Sequence, residues 1–179
     1  MKNLLKITLL LLAVISVGIF SANAQKSSSN ELTAKIGNTS FKSENCLAFW
    51  NSNNGTLLII GVNKNEKISI HLKSEGRVYE KGFTKGEYYF ARNTIYNDNY
   101  SVNATYSNAD SDWKDNDDEE RVVGKVQITE ISATQIKGTF YFDLTKKKYF
   151  DKEKKLFAHD KNDVVNIKEG SFTINLTSK

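Results

Sequence analysis

Apolar and polar residues alternate along most of this chain, which is the pattern of β-strands with one buried face. The clearest case is Phe140, Phe142 and Leu144 at every second position, and Gly138 interrupts that series where a bulge or a close backbone approach is expected. The continuous apolar run TLLIIGV (56–62) is too short for a helix and predicts a central strand. The other segments that predict strands are Leu32–Ile36, Phe41–Trp50, Ile68–Leu72, Gly82–Ala91, Tyr100–Tyr106, Val126–Ile128 and Phe172–Leu176.

These segments predict an all-β fold, an antiparallel β-sandwich or flattened barrel of about nine strands, because no segment keeps a helical period. A closed, calycin-like barrel is the alternative, in which IKGTFYF (136–142) would line a ligand cavity. Large apolar side chains favour a filled interior and therefore the sandwich. We expect one buried cluster to contain Val126, Ile128, Phe140, Phe142, Phe172 and Ile174.

The first 24 residues have the features of a secretory signal peptide. Lys2 and Lys6 precede an almost wholly apolar segment, and Ala22-Asn23-Ala24 fits the small-x-small cleavage pattern. We expect an exported protein, periplasmic or extracellular, with no integral membrane segment after cleavage. Residues 25–30 form a polar leader, and residues 31–179 form a single domain.

Charge and cysteine content restrict the classes of partner and chemistry. Removing residues 1–24 takes away two lysines and no acid, so the formal net charge falls from +4 to +2. A domain this close to neutral gives no reason to expect nucleic-acid binding. Cys46 is the only cysteine, so an internal disulfide is excluded, and its apolar neighbours predict a buried, unreactive thiol.

Several segments in a fixed order resemble a known family. They are LTAKIGNTSFKSE (32–44), TLLIIGV (56–62), KISIHLK (67–73), GKVQITEIS (124–132), IKGTFYFDL (136–144) and EGSFTINL (169–176). Together they resemble an uncharacterised Bacteroidetes family of small secreted or lipid-anchored β-sandwich proteins, a domain of unknown function. The resemblance implies fold and export, and it supplies no activity or site. This chain departs from the family in lacking the cysteine of a lipobox and in having larger charged segments.

The acidic segment Asp110–Glu120 has seven acids and one lysine. It fails the calcium-binding EF-hand template, because the position that requires glycine holds Asp115 when counting starts at Asp110. We expect a solvated loop and no cofactor. If a metal ion binds there, its candidate ligands are Asp112, Asp115, Asp117 and Asp118.

The basic segment Thr145–Asn162 has seven lysines and three acids, with apolar residues between them. One interpretation is a surface for a protein or anionic partner; the other is a surface loop or short helix whose apolar residues pack on the sandwich. The candidate binding residues are Lys147, Lys148, Tyr149, Lys152, Lys154 and Lys155.

No nucleophile or metal motif is present, so we expect no enzyme. The sequence favours an exported, non-catalytic binding or interaction module that acts through long charged loops at one end of the sandwich. The alternatives are a barrel that binds a small apolar ligand and a secreted hydrolase with paired carboxylates. If every connection reverses direction, Asp115 and Lys152 lie at the same end of the sheets.

Overall fold

The computed structural model describes residues 30–51, 55–74, 84–90, 100–114, 123–151 and 156–176, with the backbone alone for 148–151, 156–159 and 161. All regular structure within these ranges is β-strand, as the sequence predicted. The strands are β1 Glu31–Ile36, β2 Thr39–Lys42, β3 Asn45–Asn51, β4 Thr56–Asn63, β5 Glu66–Ser74, β6 Gly86–Phe90, β7 Tyr100–Ser107, β8 Asp112–Lys114, β9 Gly124–Ile131, β10 Gln135–Asp151 and β11 Leu156–Asn175.

Antiparallel pairing joins nine of these strands in the order β2-β1-β11-β10-β8-β7-β5-β4-β3, and the sheet curls into a half-barrel. The strand β10 is its branch point. Residues Ile136–Phe142 of β10 pair with β9, which in turn pairs with β6, whereas Thr145–Lys146 pair with β8 on the same edge. One long strand therefore serves two groups of strands.

The short connection between β2 and β3 links the two terminal strands of the curled sheet. The amide of Ser43 donates to the carbonyl of Leu32 at 2.9 Å, and the amide of Glu44 donates to the carbonyl of Val62 at 2.8 Å. The segment Phe41–Trp50, which the sequence predicted as one irregular strand, is thus divided here into β2 and β3. The apolar residues shift between odd and even positions at the place where the chain stops pairing with β1 and begins to pair with β4.

The buried side chains of the described residues form one cluster. It contains all six residues predicted from the sequence, Val126, Ile128, Phe140, Phe142, Phe172 and Ile174, so that prediction is confirmed. Burying this much apolar surface is the main favourable term in folding. The interior is also rich in ring contacts, with Phe142 5.2 Å from Phe140 and 5.5 Å from Phe90 between centroids.

The irregularity expected at Gly138 is present as a bulge in the facing strand, where Thr129 of β9 is the extra residue. The register of β10 against β9 shifts between Lys137 and Gly138, and a Cβ at Gly138 would lie 2.4 Å from the ring of Phe172. A real Cβ does not approach that closely, so the ring of Phe172 occupies the space that the glycine leaves.

The prediction of a surface loop or short helix over Thr145–Asn162 is wrong. Strand β10 continues to Asp151 and β11 begins at Leu156, with Tyr149 opposite Ala158. The two strands of a hairpin satisfy each other's backbone hydrogen bonds, so this pairing needs no strict apolar alternation. The lysine-rich composition therefore led to a wrong prediction of secondary structure for this segment.

The acidic segment is likewise more than a loop, because β8 lies within it and buries Trp113. The expectation that the two charged segments lie at one end of the sheets assumed that the acidic segment contains no strand. Strand β8 leaves that expectation without support. Asp115 and Lys152, the residues chosen to check that placement, lie outside the described residues.

Candidate functional site

The described parts of the acidic and basic segments meet in one open groove of about 510 Å³. The turn between β7 and β8 forms one wall, and two consecutive lysines of β10 form the other. The lining residues are Asn108, Ala109, Asp110, Ser111, Asp112, Lys146 and Lys147. Two aspartates and two lysines therefore border the same space.

The acidic wall is held by the side chain of Asn108. Its Oδ1 accepts hydrogen bonds from the backbone amides of Asp110 and Ser111, both at 3.0 Å. The backbone amide of Asn108 donates to the carbonyl of Ser111 at 3.0 Å. Asparagine commonly closes turns in this way. The turn thus holds Asp110 and Asp112 at the groove on a hydrogen-bonded backbone.

The base of the basic wall is a cluster around Trp113. The indole Nε1 donates to Oδ1 of Asp163 at 3.1 Å, while Nζ of Lys146 lies 3.1 Å from Oδ2 of the same carboxylate. Nζ of Lys146 also lies 5.6 Å from the centroid of the Trp113 ring, within cation–π range. The Tyr106 ring packs on the other side of Trp113, with centroids 5.2 Å apart.

This cluster keeps Asp163 ionised. The hydrogen bond from Trp113, followed by the one from Lys146, lowers the pKa of the Asp163 carboxyl below its ordinary value of 3.8. Tyr106 shows the opposite effect, since burial and its bond to Glu66 raise its pKa to about 12. Lys146 therefore pairs with a carboxylate that is ionised at neutral pH, and the next residue, Lys147, lines the groove.

Only part of the predicted basic site can be located. Lys147 is half-buried and lines the groove, and the backbones of Lys148 and Tyr149 belong to β10. Their side chains lie outside the described part of the structure, as do Lys152, Lys154 and Lys155 altogether.

The predicted metal ligands are placed similarly. Asp112 is exposed in β8 and lines the groove, whereas Asp115, Asp117 and Asp118 lie outside the described residues. The residues that the structure describes contain no group of three or more histidine, cysteine, aspartate or glutamate side chains placed to hold a metal ion.

Sequence reasoning missed four residues that build the groove: Asn108, Trp113, Lys146 and Asp163. Trp113 was the available signal, because a tryptophan inside an acidic run indicates a buried anchor and not a solvated loop. Asp163 lies 50 residues from Trp113, and no local pattern joins them.

The Cys46 thiol does not line the groove. It is buried, as predicted, and burial raises its pKa to about 11, which suppresses the nucleophilic thiolate. The groove itself presents fixed charges of both signs. Such a surface is suited to holding a partner with complementary charges.

The fold and groove define a class, the small all-β domain with a charged surface groove. The chain belongs to the family described as a domain of unknown function (DUF6252), whose model matches residues 28–174. The resemblance to an uncharacterised domain family is thus confirmed, while the bacterial group and the lipid anchoring of relatives stay predictions. Neither the curated proteins nor the solved structures include a match to this chain. Within the residues that the structure describes, no helix is long and apolar enough to span a membrane.

Proposed function

We propose that this protein is an exported, non-catalytic binding module whose groove between Asn108–Asp112 and Lys146–Lys147 holds a segment of a partner protein. The observation that carries the proposal is the meeting of an acidic turn with two lysines at one open groove. Complementary charge patterns select partners and set the approach, although each exposed ion pair contributes little.

Rigidity supports this function. Asn108 fixes the acidic turn, and Asp163 with Trp113 fixes Lys146, so the charges do not need to be ordered when a partner arrives. Preorganised groups lose less conformational entropy on binding. The leader at residues 1–24 supports export, since its pattern is that of a signal peptide.

The two alternatives have less support. An interior apolar ligand needs space, and the described interior contains stacked and tilted rings around Phe142. A paired-carboxylate hydrolase needs one carboxyl with a raised pKa to donate a proton. The two described carboxyls with a resolved shift, Glu87 and Asp163, have a lowered pKa, each through hydrogen bonds from neighbouring donors, so neither fits the role of that proton donor.

The test is selection of peptides from a random displayed library on the immobilised protein. We expect selected peptides to carry both charge signs and to bind Lys147→Glu about fivefold more weakly, since an exposed pair contributes roughly 1 kcal/mol. Reversing the charge of the matching peptide residue should restore binding to Lys147→Glu.

Lys168→Glu is the matched control, because Lys168 is an exposed lysine of β11 outside the groove lining. Peptides without charge bias, or equal weakening by the two substitutions, would contradict the proposal.

A further inference from the structure

A second groove of about 390 Å³ lies on the outer face of the sheet, across β9, β10 and β11. It shares no lining residue with the charged groove. Its lining residues are Lys125, Gln127, Thr139, Phe140, Tyr141, Glu169, Gly170 and Ser171.

Two tyrosines flank a lysine on the face of the sheet that bears this groove. Tyr89 of β6 and Tyr141 of β10 both lie directly opposite Lys125 of β9, so the three side chains share one face. The tyrosines are two strands apart, which is about 9.6 Å at the usual strand spacing. Tyr141 is 44% exposed, the largest exposure among the large apolar and aromatic residues exposed on the described surface.

Ion pairing and hydrogen bonding hold this row in place. Nζ of Lys125 donates to Oε1 of Glu87 at 2.7 Å, and the hydroxyl of Tyr89 donates to the other carboxylate oxygen of Glu87. The Lys125 side chain is only 24% exposed. Its charge is thus matched locally, and the row does not form a basic patch.

A second row of side chains beside the tyrosines is neutral and polar. Gln127, Thr139 and Ser171 lie opposite one another on β9, β10 and β11, and Oγ of Ser171 lies 2.8 Å from Oγ1 of Thr33 on β1. Hydroxyl and amide groups both donate and accept hydrogen bonds. They therefore match a ligand whose own groups do both.

A bulge brings a carboxylate to the end of the groove. The register of β10 and β11 moves from Phe140 opposite Gly170 to Phe142 opposite Ile167, and Glu169 in this bulge has φ 49°. A glutamate in the left-handed region is unusual, and such bulges and strained residues occur at ligand sites. Lys35 pairs with both oxygens of Glu169, at 2.8 and 2.7 Å.

We propose that this outer groove binds a neutral polysaccharide, with one sugar ring stacked on Tyr141 and its hydroxyls bonded to Gln127, Thr139 and Ser171. An exposed aromatic face covers the apolar C–H face of a pyranose, and the polar row serves its equatorial hydroxyls. Nucleic acid is disfavoured because the groove pairs each of Lys125 and Lys35 with a glutamate.

The test is native gel electrophoresis through gels containing a soluble β-glucan, xylan, mannan or galactan. We expect at least one polysaccharide to retard the protein. Tyr141→Ala should raise the dissociation constant at least tenfold, and Tyr141→Phe, which keeps the ring, should change it less than threefold. Phe49→Ala is the matched control, because Phe49 is an exposed aromatic (38%) elsewhere on the sheet.

Melting temperatures of all variants confirm folding, which an exposed side chain such as Tyr141 should hardly affect. Retention of binding by Lys147→Glu separates this site from the charged groove. The proposal is overturned if no polysaccharide of the panel retards the protein, if Tyr141→Ala binds like the wild type, or if Phe49→Ala loses binding equally.

Discussion

At the scale of single residues, rings in this core lie against glycines. A Cβ at Gly170 would lie 2.4 Å from the ring of Phe140, just as one at Gly138 would meet Phe172. Both glycines belong to the β10–β11 hairpin and lie opposite the rings that they accommodate. The packing of the core therefore depends on the absence of side chains as well as on their presence.

A double-mutant cycle tests this fit. Gly170→Ala should destabilise the protein by ~1–3 kcal/mol through overpacking, and Phe140→Ala should cost ~3–5 kcal/mol. The double variant should lose less than the sum, because the alanine methyl then enters the space left by the ring. Urea denaturation measures all three, and strictly additive losses would show that the two sites are independent.

Cys46 gives a prediction for alkaline pH. Its pKa is raised by burial from 9.0 to about 11 in the folded protein, so the unfolded chain loses the thiol proton first. This residue therefore lowers the free energy of unfolding as pH rises from about 9 to 11. The stability advantage of wild type over Cys46→Ala, measured by denaturation at each pH, should shrink across that interval. A constant difference would mean that the thiol is not shielded from solvent.

At the scale of strands, the two ends of the sheet differ. The terminal strand β2 has four residues, and the Lys42 side chain at its end pairs with Glu31 at 2.8 Å. The other terminal strand, β3, has seven residues, no charged side chain, and an exposed Phe49. Charged side chains and short length usually protect sheet edges from pairing with other chains.

Placing a charge on β3 should therefore reduce self-association. We expect Phe49→Lys to slow aggregation on heating while changing the free energy of unfolding by less than about 0.5 kcal/mol, as for other surface substitutions. Light scattering during a thermal ramp measures the first quantity and denaturation the second. Unchanged aggregation would indicate that this edge is already covered.

The sequence predicted those elements whose residues alternate, because one buried face imposes a period of two. Phe140 and Phe142 are the clearest examples. It failed where strands form without that constraint: the end of the β10–β11 hairpin is lysine-rich, and β8 is only three residues long. The groove was half predicted, since Lys147 and Asp112 were named, whereas the bond from Trp113 to Asp163 depends on tertiary folding.

At the scale of the whole molecule, β10 and β11 organise the fold. They pair over nearly their full length, and β10 also joins β9 and β8, while β11 joins β1. Both grooves use β10, with Tyr141 on one and Lys146 on the other. A substitution that alters the β10–β11 pairing would therefore alter residues that line both grooves.

The pairing of β1 with β11 has a consequence for the order of folding. Glu31 lies opposite Thr173, and the amide of Asn175 donates to Oδ1 of Asn30 at 2.8 Å. Strand β1 pairs with β2 and with β11, and the second pairing cannot form until β11 is available. Contacts this distant in sequence form slowly. A chain emerging from a ribosome cannot complete the pairing of β1 with β11 until residue 175 is free, and segments that stay unpaired until then are exposed to aggregation.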